Sequence, residues 1–187
     1  MMVATMPNVH PADNPGPSVE LRLGLDFPAL TAAYCIWKST PLFEEIFFRN
    51  PSMNLWEFLD WNYQPTAEPV GCYVGNKMVG IGWICKAFKI GDEVMAEVGA
   101  AFFQGTPPSI WHRAIDLFLF HAFVERKFDV IFGVSKRGSA YAEMISRRAG
   151  MTEVSGLPWG EDVPSNAIVR KLDRATWEAN IRRRAVA

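Results

Sequence analysis

The chain has 187 residues, 49% of them hydrophobic and 13% aromatic, with 19 Lys and Arg against 20 Asp and Glu for a formal net charge of -1. This length and apolar fraction support one sizeable core and exclude a disordered, fibrous or two-domain chain. The near-neutral balance lacks the basic footprint of a nucleic-acid binder, and no apolar run approaches the roughly 20 residues of a membrane span.

Residues 1–17 include Pro7, Pro11, Pro15 and Pro17 and lack the basic start and apolar stretch of a secretion signal, so they are expected to form a flexible tail. Cys35, Cys72 and Cys85 are odd in number and show no C-x-x-C spacing, which fits a reducing cytoplasm rather than a disulfide framework. A domain over residues 18–177 follows, with a second tail at 178–187. Residues 18–24 alternate Val19, Leu21 and Leu23 against Glu20 and Arg22, the period of a half-buried strand. Asp26 precedes Phe27 and Pro28 as a helix cap, and that helix ends before Pro41. Two short helices are expected between Pro41 and Tyr63, broken at Asn50-Pro51 and restarting at Ser52.

Strands are then expected at 70–74, 78–86 and 94–103, joined by turns at 75–77 and 91–92 into an antiparallel meander. The period changes after Gly105, where Ile110, Ala114, Leu117, Phe118 and Phe123 mark a buried helix over about 108–126. The apolar run 130–134 (VIFGV) reads as a central strand, and Ser139 caps a helix that ends at Gly150. Residues 152–166 form a loop with room for a short strand, 167–172 the last strand, and a short helix follows Asp173.

This order, one strand, helices, three antiparallel strands, then helix, strand, helix and strand, predicts an α/β mixed, mostly antiparallel sheet of 6–7 strands with helices on both faces, and one strand splayed from its neighbour. Four stretches, together with that order, resemble the GNAT acetyltransferases over about residues 18–177. Residues 96–103 (AEVGAAFF) are similar to the family's fourth strand, with Glu97 early on it. Gln104-Gly105 falls where the family has Q/R-x-x-G-x-G/A. Residues 139–151 resemble the N-x-x-A helix that ends in Gly-Phe. Residues 169–177 (VRKLDRATW) resemble a common ending of the family.

The resemblance implies an N-acetyltransferase that uses acetyl-CoA as cosubstrate and an amine acceptor whose identity is not readable, in the cytoplasm, with no metal, no nucleic acid and no membrane, and with a homodimer left open. It implies cofactor contacts from Ala101, Phe102, Phe103, Gln104, Gly105, Thr106, Ser109, Arg113 and Ser139. A helix N-terminus with close-packed glycines is a phosphate site. Pro107 and Ser109 stand where the family places glycines, and proline removes a donor. The same residues also read as an ordinary helix start capped by Thr106 or Ser109. Ser139 likewise replaces an asparagine and reads equally as a cap.

Acetyl transfer to an amine needs a base and a proton donor for the leaving thiolate. Glu97 is the candidate base, with a pairing to Lys86 or Lys89 as its ordinary alternative. The tyrosine that relatives carry late in the second helix is Ser146 here, so Tyr141, one turn and more earlier, is the candidate acid. Trp56, Trp61, Tyr63 and Trp83 are candidates for an apolar acceptor pocket or for plain core packing. His112 and His121, nine residues apart on one helix, face opposite sides and cannot share a metal. A non-catalytic binding or assembly protein on the same fold, of the kind phages and mobile elements encode, is the alternative that the altered loop permits.

Overall fold

The computed structural model describes residues 3–4 and 18–186, with side chains to residue 184. Along the chain these form β1 (Val3–Ala4), β2 (Val19–Leu23), α1 (Phe27–Lys38), α2 (Leu42–Ile46), α3 (Leu55–Asn62), β3 (Ala67–Val74), β4 (Lys77–Ile90) and β5 (Glu93–Phe102). They continue with α4 (Pro108–Phe120), β6 (Val130–Lys136), α5 (Ala140–Ala149), β7 (Thr152–Val154), β8 (Ala167–Asp173) and α6 (Arg174–Val186). Most of the expected N-terminal tail lies outside the described residues; Val3 and Ala4 pair with Arg22 and Leu21 at the sheet edge. Among the described residues no helix is long and apolar enough to cross a membrane.

The strands form one sheet in the order β1-β2-β3-β4-β5-β6-β8-β7, antiparallel except where β5 meets β6. Both predicted hairpins form as two-residue turns, with Gly75 at φ 58° and Gly91 at φ 59°, a conformation open to glycine without strain. The strands flanking Gly91 run further than their apolar residues alone suggest, because Lys89-Val94 and Ile90-Glu93 keep pairing out to the turn.

One face carries α4, α5 and α6: Ile110, Ala114, Ile115, Phe118 and Phe123 pack with Ala149 and Trp177 on Leu21, Cys72, Ala96, Ile131 and Leu172. Gly82 makes room for this layer, since a Cβ there would come within 2.6 Å of the Phe118 ring. The other face is covered in two pieces. Helices α1 to α3 bury Trp37, Phe43, Phe47 and Phe58 over β3 to β5, while Leu157 and Trp159 in the loop after β7 cover β6 and β8. A gap is left between the two.

Local signals place the helix ends. Asp26 Oδ1 accepts from Ala29 N–H (2.9 Å), and Gly150 closes α5 in the left-handed region at φ 82°. Helix α3 starts later than the expected Ser52, because Asn54 and Glu57 form a reciprocal capping box there while the Ser52 hydroxyl donates to Asn50 Oδ1 (3.2 Å). The final helix is longer than the short one expected and is anchored by Trp177, whose ring stacks on Phe123 at 5.1 Å.

Helix α4 reaches its expected end through one wide π-helical turn, His121–Glu125. That turn buries His121 between two acids: Nδ1 lies 2.6 Å from Glu125 Oε2 and Nε2 2.8 Å from Glu68 Oε1, with Arg126 Nη2 3.1 Å from Glu68 Oε2. Carboxylates only accept, so this geometry favours the doubly protonated, cationic ring. Burial opposes that charge, but the two carboxylates together outweigh it and raise the His121 pKa above its ordinary 6.5. The stabilisation is therefore complete below pH 6.5 and is lost as pH rises through the higher folded value. The unfolding midpoint, followed by circular dichroism from below that pH upward, should fall across this window. His121→Gln should remove the slope and cost about 1–3 kcal/mol by leaving acceptors unsatisfied.

Candidate active site

Strands β5 and β6 pair in parallel over three positions only, Met95-Val130, Ala96-Ile131 and Glu97-Phe132. Beyond Glu97 they diverge, so residues 98–102 of β5 present an unpaired backbone edge inside the molecule. Two glycines sit at the divergence, Gly99 on β5 and Gly133 on β6. A Cβ on Gly133 would crowd the Met151 methyl at 3.3 Å. The space is a cavity of about 360 Å³ whose walls include Val98, Gly99 and Ala100 of the open edge, Gly133 and Val134 opposite, and Tyr141, Ile145 and Ser146 of α5.

Glu97 stands at the apex. Facing it, β4 bulges between Cys85 and Ala87, with Lys86 at φ 50°, the kind of local kink that re-aims side chains beside a cleft. The Glu97 side chain is 13% exposed and lies on the face of α1 to α3. Its Oε1 accepts from Arg49 Nη1 at 3.0 Å, and its Oε2 is buried with no partner among the described residues. Burial raises its pKa above the ordinary 4.5, against the pull of Arg49 and Lys86. The expected partner Lys86 is instead 2.6 Å from Glu161 Oε2, which tilts the ammonium toward the loop after β7. Arg49 reaches across the gap between the two coverings, lying 3.8 Å from Glu161 as well. Sequence reasoning missed Arg49 and Glu161, because Arg49 meets Glu97 across 48 residues of chain and Glu161 reaches this cluster only through Arg49 and Lys86.

The candidate cofactor loop follows β5. Ala101 and Phe102 are buried in the sheet, Phe103 N–H donates to Val79 O (2.9 Å), and Gly105 takes φ 84°. Neither Thr106 nor Ser109 caps α4. The cap position is Pro107, without a side-chain bond, and the Thr106 hydroxyl donates to Val79 O at 3.2 Å. Pro107 and Pro108 bring no N–H, and Ile110 and Trp111 N–H both turn back to Pro107 O (3.0 and 3.2 Å). Gln104, Ser109 and Arg113 are exposed around this turn, outside the cavity.

Ser139 and Tyr141 line the cavity at its far end. Ser139 Oγ accepts from Ala142 N–H (3.1 Å) and donates to Glu45 Oε2 (2.6 Å), so it caps α5 and also ties it to α2. The Tyr141 hydroxyl accepts from the Phe102 amide at the end of the open edge. Burial raises its pKa, so it keeps its proton. Phe102 lies five residues beyond Glu97, about 16 Å of extended strand. The two candidate catalytic residues therefore occupy opposite ends of the edge, and Ser146, further along α5, lines the same cavity.

The candidate acceptor aromatics divide. Trp83 is 3% exposed and donates its indole N–H to Asn62 Oδ1 (2.8 Å), and Trp61 lies against it with ring centroids 5.6 Å apart. Both line the cavity beside Phe47 and Met53. Trp56 and Tyr63 are 70% and 55% exposed and belong to neither core nor cavity. Sequence spacing could not separate these pairs, since all four sit on amphipathic segments.

A carboxyl group whose pKa is raised binds its proton more tightly in the folded state, so Glu97 destabilises the fold increasingly as pH rises from 4.5 toward its folded pKa. Glu97→Gln keeps an oxygen for Arg49 and removes the buried charge. It should raise the unfolding midpoint at neutral pH, measured by differential scanning calorimetry, with the gain vanishing below pH 4.5.

No family model and no curated protein matches the sequence. Solved structures do match the backbone. A probable GNAT-family acetyltransferase from Chromobacterium violaceum aligns with a TM-score of 0.65 at 16% identity, over 88% of this chain and 92% of that one. Spermidine N-acetyltransferase from Vibrio cholerae, in complex with CoA and spermine, gives 0.66 at 12% identity over 86% and 98%. RimJ from Mycobacterium smegmatis, in complex with CoA-disulfide, gives 0.63 at 14% identity over 84% and 82%. Strand order, the splay after Glu97 and these alignments agree: the chain has the fold of the GNAT acetyltransferases.

Proposed function

We propose that the protein is an acyl-CoA-dependent N-acetyltransferase in which Glu97 is the base. The observation that carries this reading is the apex itself: a buried carboxylate with one unpartnered oxygen, facing a cavity at the point where two parallel strands part. An unpaired strand edge accepts an extended amide chain by backbone hydrogen bonds. The pantetheine arm of acetyl-CoA has that character, and Val98 and Ala100 have the open edge to receive it. The amine nitrogen attacks the thioester carbonyl; the C–N bond forms and the C–S bond breaks. Glu97 takes the amine's proton, directly or through one water, and its raised pKa brings it closer to the operating pH.

The leaving thiolate takes a proton from water in this reading, since the Tyr141 hydroxyl lies at the other end of the edge and burial makes it a weaker acid. Tyr141 then acts on cofactor affinity, by occupying the Phe102 amide. The pyrophosphate would lie by Gln104, Gly105, Thr106 and Ser109, with Arg113 nearby for charge. That end fits less well than a glycine-rich turn, because Pro107 and Pro108 bring no N–H and those of Ile110 and Trp111 are turned back on Pro107, which leaves Ser109 as the first-turn donor. The same observation favours a second reading, a binding or assembly protein on this fold without turnover.

Acetyl-CoA titration separates the two. A ligand at a hundred times its dissociation constant adds about 2.7 kcal/mol of stability, and each kcal/mol raises the midpoint of a domain this size by roughly 2–4 °C. No shift at saturating acetyl-CoA would sink the transferase reading. If it binds, Glu97→Gln should lower kcat by about 100-fold or more with little change in KM for acetyl-CoA. Tyr141→Phe should tighten acetyl-CoA binding with kcat nearly unchanged, and Pro107→Gly should tighten it too by restoring a donor.

A further inference from the structure

The geometry points to a specific class of acceptor: a free α-amino acid with an aromatic or large apolar side chain, held by Arg49 through its carboxylate and presented to Glu97 through its amine. The inference rests on the transferase reading and names its second substrate. Three observations carry it.

Arg49 lines the cavity and, among the described residues, makes one side-chain hydrogen bond, to Glu97 Oε1 at 3.0 Å. A guanidinium has five donors in a planar fork that matches a carboxylate with two parallel bonds. Most of that capacity is unspent. Beside it, Glu97 Oε2 is buried with nothing to accept from. An unspent fork and an unspent carboxylate oxygen, joined by one 3.0 Å contact, are complementary to an ammonium and a carboxylate on the same small molecule.

The Arg49 fork selects between amines. Lys86 is paired with Glu161 at 2.6 Å, while Glu45 accepts from the neutral Ser139 hydroxyl. A simple ammonium ion entering here would add a positive charge next to Arg49, which already lies 3.0 Å from Glu97 and 3.8 Å from Glu161, and would leave the rest of the Arg49 fork unused. A zwitterion adds no net charge and lets each ion find its own partner, the condition under which buried charges are tolerated.

The remaining wall sets the side chain. Phe47, Met53, Trp61 and Trp83 line the cavity, and the Trp83 indole N–H, which could have bonded a polar group, is taken by Asn62 at 2.8 Å. That wall offers an apolar body no polar partner and an aromatic ring two indole neighbours.

Calorimetric titration of the full chain with L-phenylalanine, phenylalaninamide and phenethylamine, with and without CoA, tests this, alongside thiol release from acetyl-CoA with each amine. L-Phenylalanine should bind and react best, and loss of its carboxylate should cost roughly 10- to 100-fold in Kd and in kcat/KM. Arg49→Gln should erase that preference, and Arg49→Lys, which keeps charge but not the fork, should restore part of it. Circular dichroism checks that both variants are folded. If the amines without a carboxylate bind and react as well as L-phenylalanine, or if Arg49→Gln leaves the preference intact, the inference is overturned while the transferase reading stands. If acetyl-CoA is neither bound nor consumed yet L-phenylalanine binds with this Arg49 dependence, the transferase reading fails and the amino-acid site stands. Absence of L-phenylalanine binding in every titration overturns the inference.

Discussion

Everything at this site depends on a pairing that stops. Strands β5 and β6 share three parallel positions and then part at Glu97 and Phe132. Backbone N–H and C=O groups that leave a ladder must find other partners or meet a ligand or water. Here one of them, the Phe102 amide, is met by Tyr141, while the edge before it faces a cavity. Gly99 and Gly133 keep side chains out of the mouth, and Ile115, Phe118 and Leu119 of α4, the crossover between the two strands, line the cavity from one face.

The two ends of the open edge are built to different standards. At the apex, a bulge in β4, a buried carboxylate and a cation borrowed from the loop after α2 converge on one point. A carboxylate left with one oxygen unpartnered in the interior opposes folding, and such costs concentrate where chemistry needs a poised group. At the loop end the reverse holds. Prolines begin α4, the amides that follow close on Pro107, and no side chain caps the helix. Stability is well served there, so the poised group of this site lies at the apex and not at the loop.

Much of the scaffold was legible because its signals are local. Alternation over residues 18–24, the capping carboxylate of Asp26, the turn glycines Gly75 and Gly91, and the left-handed Gly150 each act within a few residues of themselves, and each appears where the chain pattern places it. Small misses follow the same logic. Asn54 outcompetes Ser52 as a cap because its amide oxygen reaches two N–H groups while Glu57 returns the bond. Thr106 could have capped α4, but the cap position falls on Pro107 and the Thr106 hydroxyl is turned to donate to the Val79 carbonyl.

The sequence by itself determined the order and type of elements, the amphipathic faces that sort them into a layered sheet, and the presence of a glutamate at the start of an edge-forming strand. Only the tertiary structure decided which cation meets that glutamate, which tryptophans face the cavity, and that Tyr141 stands about 16 Å of strand away from Glu97. The reason is one of range. Caps, turns and periodicity are set by neighbours a few residues away, whereas the Arg49, Glu97 and Glu161 contacts join three segments brought together by packing on opposite sides of a gap in the sheet's covering. No spacing along the chain encodes that gap.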